Sequence, residues 1–390
     1  MSGAHQEREY YRPAMSTLAS SAPRARRPWL VGPVFDATCL AWAWVPYYLF
    51  VVLVLGLDGS WSIGGRDGNG TEPGLGLATL LALGASYVHR HYTFLLVYGD
   101  RETFAQRVRA YTVIPALLFV ALALAIELPG PYLELGSLKL RPWNVVLVIT
   151  GAWNVWHTLM QRHGIARIYA AKAGGGLQQR AHARRDLALL WSCVALTAVV
   201  TPMFRAETFA GIANARRVLD VAEPILGGWP GQLLLALVLA VTLVCATRWF
   251  IHERQAELER GARVPRLNFL LSTAALLLVL VVHGPIVGYL CFGVAHAVEY
   301  VFFFHVFGHK KFARRPREQT SLAQRLLARP TLFGPLLALL LVAVFFALAD
   351  YRKSEPYLVY YTATSLLHFL YDGWIWKVRK PEVSKPLGLS

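Results

Sequence analysis

Eight of the twelve histidines, His89, His91, His157, His163, His296, His305, His309 and His368, sit in or at the inner ends of long apolar segments. Imidazole serves as a metal ligand or a proton carrier, and in hydrocarbon it is costly unless something binds it. Several at one depth imply a shared partner. A metal ion held by side chains from separate helices would be such a partner.

The spacing narrows the chemistry. In His296-Ala-Val-Glu299-Tyr300, histidine and carboxylate stand one above the other on a helix face. Helical dimetal sites pair these residue types at the same spacing, in the reverse order. His368 and Asp372 are also one turn apart, and a carboxylate near a helix C-terminus is disfavoured by the macrodipole. Asp372 therefore calls for a cation, either a metal or Lys377. Asn154, His157 and Gln161 form one polar stripe on an apolar helix, with His163 about 120° away beside Gly164, as a ligand or a C-terminal cap.

His89 and His91 point about 200° apart on a regular helix, so both reach one site only through a local distortion. Arg90 between them faces a polar cavity or an anionic group, unless the trio snorkels to the interface. His305 and His309 lie on another face of their helix, nearer Lys310 and Lys311, and read as interfacial.

The expected metal ligands are then His89, His91, His157, His163, His296, Glu299, His368 and Asp372. Arg90, Asn154, Gln161, Tyr300, His305 and Tyr371 should surround them or face a substrate. Imidazole with carboxylate suits iron, zinc, copper or manganese, and two carboxylates with several histidines suit non-haem iron, mono- or dinuclear; haem on two axial histidines is the alternative cofactor. Cys39, Cys193, Cys245 and Cys291 lie in separate apolar segments without CxxC spacing and read as packing residues.

The elements that must position these groups are transmembrane helices. Of 390 residues, 55% are hydrophobic and only 16% charged, too apolar for a soluble protein. The sequence predicts an all-α bundle of ten spans at roughly 34–57, 75–98, 110–128, 143–163, 186–203, 231–251, 267–283, 285–308, 331–349 and 357–376. A polar basic tail (1–28) should precede the membrane domain (29–380), and a short tail (381–390) should follow it. No cleavable signal is read in the first segment.

With the N-terminus inside, inner segments hold 31 of the 39 Lys and Arg. The positive-inside rule then places both termini in the cytoplasm, in a bacterial inner membrane. The net charge of +16 reads as a topology signal and an attraction to anionic lipid, with no role for nucleic acid. His283-Gly284-Pro285 predicts a tight turn between two antiparallel helices, and 206–222 an amphipathic surface helix.

NxWHxxxQ at 154–161, HxxEY at 296–300 and HxxxDGxIWK at 368–377 resemble a loosely defined group of uncharacterised, histidine-rich bacterial polytopic membrane proteins. The WHxxxxxH segment at 156–163 resembles the Brp/Blh carotene-cleaving dioxygenases. That likeness implies an iron site near the cytoplasmic face and no residue roles.

The expectation is a membrane metal oxidoreductase acting on a lipid or other apolar substrate, in contact with membrane lipids and with an electron donor as a possible partner. A proton-coupled or metal transporter and a haem redox protein are the alternatives.

Overall fold

The computed structural model describes residues 28–57, 73–128, 133–135, 138–205, 224–258, 261–316, 318 and 320–389. The tail at 1–27 and the surface helix expected at 206–222 lie outside the described residues. The chain opens with a bent pair, α1 (Pro33–Ala41) and α2 (Val45–Val54), at 49° to one another. Then come α3 (Pro73–Gly99), α4 (Arg101–Ala105) and α5 (Val108–Glu127). A small antiparallel hairpin of β1 (Leu133–Leu135) and β2 (Leu138–Leu140) leads into α6 (Pro142–Ala173). After it run α7 (Arg180–Phe204), α8 (Trp229–Gln255), α9 (Val264–Phe312), α10 (Leu322–Leu327), α11 (Pro330–Ala347), α12 (Glu355–Ile375) and α13 (Pro381–Leu387).

Apart from that hairpin the described protein is helical, as expected. Helices α5, α7, α8, α9 and α11 are long and apolar enough to cross a bilayer, and the α1–α2 pair together makes a sixth candidate. Helices α3, α6 and α12, with 27, 32 and 21 residues, are also long enough at 1.5 Å per residue. They are the more polar ones, and they carry the histidines. Local signals set their ends. Pro142 occupies the first turn of α6, and Ser354 caps α12 by accepting from Tyr357 N.

The 49-residue α9 is two helices joined at Gly284, whose φ of 81° is open to glycine at little cost. In one straight rod Ser272 and Glu299 would be about 40 Å apart. Both bond the guanidinium of Arg162, so the legs fold back on each other. A Cβ on Gly288 would come within 2.8 Å of Leu280 Cα, which shows how closely the legs approach. This is the turn that His283-Gly284-Pro285 predicted.

The second leg of α9 (285–312) lies at the centre. α3 packs on α9, α9 on α6, α6 on α12 and α12 on α3, a closed ring of four helices. Their direction follows from paired offsets. His89 meets His368, and four residues later on each chain Thr93 meets Asp372. Tyr300, four residues after His296, joins both. Equal advance on each helix means that α3, the second leg of α9 and α12 run parallel, so the chain must return between them.

Helix α8 shows the other extreme. Only 6% of its most apolar stretch is buried in the protein, against 39% for α9, so α8 is a peripheral element resting on α7. The C-terminal segment expected as a tail includes the helix α13, with Val383 and Leu387 buried against the bundle.

Candidate metal centre

Each ring helix sends one histidine inward at the same level, and His89, His157, His296 and His368 are all buried. His368 Nε2 lies 3.2 Å from His89 Nε2 and 3.2 Å from His157 Nε2. The His296 ring centre is 4.6 Å from that of His89 and 4.9 Å from that of His157. Asp372 adds a carboxylate, its Oδ2 standing 3.6 Å from His157 Nε2 and 3.7 Å from His368 Nε2. Ligand atoms of His89, His296 and His368 fall within 4.8 Å of one another, and so do those of His157, His368 and Asp372.

These separations fit a coordination shell. With metal–nitrogen bonds of about 2.0–2.1 Å, two imidazole nitrogens on a tetrahedral edge stand about 3.3–3.4 Å apart. The far sides of the rings are held as well. His89 Nδ1 lies 3.3 Å from the Ala85 carbonyl, which only accepts, so Nδ1 carries the proton and Nε2 presents its lone pair inward.

His368 Nδ1 is 2.7 Å from Thr93 Oγ1. Thr93 in turn donates to Asp372 Oδ1 at 3.0 Å, and Tyr300 Oη donates to the same oxygen at 2.9 Å. Trp376 Nε1 donates to Tyr300 Oη at 3.3 Å. With Oδ1 held by two hydroxyls, Oδ2 is turned toward the histidines. Both nitrogens of His296 are buried without a hydrogen-bond partner, which is costly unless a cation takes one of them.

Other residues expected at the site are elsewhere. α3 is regular, so His91 points away. Its Nδ1 bonds the Tyr87 carbonyl at 2.6 Å and its Nε2 the Tyr360 hydroxyl at 2.7 Å. Glu299, one turn beyond His296, is turned to the Arg162 guanidinium rather than to the histidines. Arg162 also donates to Thr273 and Ser272, tying α6 to both legs of α9.

His163 has Asp186, Arg167 and Arg266 as its electrostatic neighbours. His305 Nε2 is 3.2 Å from Tyr92 Oη, and Tyr371 Oη is 2.9 Å from Tyr98 Oη, both outside the cluster. His309 Nδ1 bonds the Ala328 carbonyl. The polar stripe of α6 faces α9, where Asn154 donates to Tyr289 Oη at 2.8 Å and Gln161 to the His296 carbonyl at 3.1 Å. Sequence reasoning missed Thr93, Trp376 and Arg162. A four-residue step recurs in His89/Thr93, His296/Tyr300, His368/Asp372 and Asp372/Trp376, and that step was the available signal.

Two cavities reach the cluster. One of 210 Å³ touches His157, Tyr300, Asp372 and Trp376. The other, of 250 Å³, touches His89, His368, Arg90, Asn154 and Tyr289. Asn154, Tyr289 and Gly293 also line a third, apolar cavity of 610 Å³ between α6, α7 and α9.

Models of known protein families, curated proteins and solved structures were compared with this chain, and none matches it.

Proposed function

We propose that the protein is a multi-pass inner-membrane oxidoreductase that uses non-haem iron at the four-histidine cluster to oxidise an apolar substrate. The observation that carries this reading is the convergence of three imidazole nitrogens at 3.2 Å steps, with a carboxylate oxygen beside them. Imidazole with carboxylate is a donor set that suits iron, and the cluster includes no thiolate. Iron bound there would supply activation of dioxygen, with an outside electron donor required where only one oxygen atom is transferred.

The chain's own part is to hold and orient. His89, His157, His296 and His368 would bind the ion, and Asp372 Oδ2 would offset its charge. Thr93, Tyr300 and Trp376 would fix the carboxylate and the His368 ring. The helices around them exclude water, and the cavities admit an apolar molecule. His368 faces both His89 and His157 at 3.2 Å, and His296 stands close against those two, which favours a single ion over a haem plane.

This reading takes ten spans with both termini in the cytoplasm, as the 31 basic residues of the inner segments support. A reporter fused to the C-terminus should then be cytoplasmic and one inserted in 204–230 external.

Elemental analysis with an optical spectrum of the detergent-purified protein tests the metal. About one iron per chain without a haem band is expected. A haem band would overturn the non-haem assignment. A folded, metal-free protein would favour a proton relay and the transporter reading.

A further inference from the structure

Arg90, Arg162 and Arg266 head the fully buried side chains by size. Arg162 is paired with Glu299, and Arg266 with both Asp186 and Glu253. Arg90 differs. Among the described residues no carboxylate is within ion-pair distance of it, and its acceptors are all neutral.

Arg90 Nε donates to the Ser86 carbonyl and Nη2 to Ser86 Oγ. Nη1 faces the Tyr361 carbonyl, Thr364 Oγ1 and Ser365 Oγ. The Tyr361 ring lies 3.7 Å from the guanidinium carbon. A guanidinium has five N–H donors, so one on Nη2 has no acceptor among the described residues. A whole positive charge is thus left without a counter-charge in a low-dielectric interior, where such charges are normally paired.

Arg90 lines the 250 Å³ cavity together with His89 and His368. Through Asn154, Tyr289 and Gly293 that cavity adjoins the 610 Å³ apolar one. The order is therefore cation and histidine cluster at one end and apolar walls at the other. One guanidinium balances one negative charge, which fits a carboxylate. A neutral hydrocarbon would leave Arg90 uncompensated.

We infer that this pair of cavities binds a long-chain carboxylic acid, with its carboxylate on Arg90 and its tail in the apolar cavity. Binding of the acid stands on the cavity and the charge alone. That its first carbons are the ones oxidised rests on the metal reading above.

The test uses the full-length protein in zwitterionic detergent and compares binding of palmitate, hexadecanol and methyl palmitate, with iron content measured on the same samples. Wild type should prefer palmitate at least ten-fold, and Arg90→Gln should abolish the preference. A Cβ on Gly293 meets nothing within 4 Å, so a side chain can start there, and Gly293→Phe should narrow the shared passage and weaken all three ligands.

Equal binding of acid and alcohol to wild type would overturn the inference, as would an acid preference that survives Arg90→Gln. Displacement of palmitate by dioleoylphosphatidylglycerol at equal concentration would assign the site to a lipid headgroup and overturn it too. If Arg90→Gln does not fold, the wild-type preference and the Gly293→Phe result decide. Acid preference in iron-free protein would uphold this inference while removing the metal reading.

Discussion

Two of the polar clusters buried in this apolar bundle differ in charge balance. Where the start of α7, the end of α8 and the start of α9 meet, Arg266 pairs with Asp186 and Glu253, and Arg167 pairs with Asp186 at 2.7 Å. Trp249 Nε1 adds a bond to Asp186 at 2.9 Å. Two cations there meet two carboxylates, and the cluster is closed in charge. The histidine cluster has four imidazoles and one carboxylate, with no Lys or Arg within ion-pair distance of Asp372 among the described residues.

Buried charge is tolerable when it is paired and hydrogen-bonded. A set closed in charge therefore marks a structural tie, and an open set that presents lone pairs inward marks a place for a ligand. Glu299 shows how a single residue moves between the classes, because Arg162 supplies its counter-charge.

The comparison is broken most severely if the open cluster holds nothing. His368→Ala removes the nitrogen common to both ligand groups and should lower bound metal at least ten-fold, in protein that remains monodisperse in detergent. His309→Ala, on the exposed side of α9, should leave metal content unchanged. Full occupancy in both His296→Ala and His368→Ala would remove the metal assignment altogether.

The closed cluster should respond in the opposite way. Arg266→Ala leaves Asp186 and Glu253 with excess negative charge and should cost about 3–5 kcal/mol in a denaturation series. Metal per folded molecule should stay at the wild-type level. Loss of metal at unchanged stability would mean that the two clusters have been assigned the wrong way round.

A smaller effect sharpens the boundary between them. Glu299→Gln keeps a hydrogen-bond acceptor for Arg162 but removes its counter-charge, so stability should fall by about 3 kcal/mol with metal retained. If this variant loses metal as His368→Ala does, the carboxylate belongs to the ligand set after all.

The least effect is expected beyond the apolar core, where Asp100 caps α4 and binds Lys311 at 2.5 Å, Thr103 at 2.8 Å and Gln324 at 2.8 Å. Burial alone would raise its pKa, but the Lys311 charge and these three hydrogen bonds hold it below the usual carboxylate range. The folded value is thus below the unfolded one of about 3.9. Its stabilisation is complete above that pH and is lost as pH falls through the folded value. Asp100→Asn should cost about 2 kcal/mol at pH 7, and the gap to wild type should close in acid. A gap independent of pH would show that the Lys311 pair contributes nothing.

Much of the site was legible in the chain. His296, His368 and Asp372 could be singled out because a polar side chain inside an apolar segment has few explanations, and their spacing put the last two on one face. The 200° separation of His89 and His91 already implied that a regular α3 would commit only one of them. The turn at His283-Gly284-Pro285 was readable because glycine followed by proline punctuates a helix locally.

What local pattern could not decide was partnership between distant segments. Glu299 sits one turn from His296 whether it faces a metal or Arg162, and only the packing of α6 against both legs of α9 brings that guanidinium to it. Thr93 is an ordinary residue of an apolar helix until α12 and α9 deliver Asp372 and Tyr300 to it. The residue types and helical periods are properties of the sequence itself. Whether Glu299 finds Arg162, and whether Arg90 is left open, depends on helices more than a hundred residues apart, and tertiary packing alone decides it.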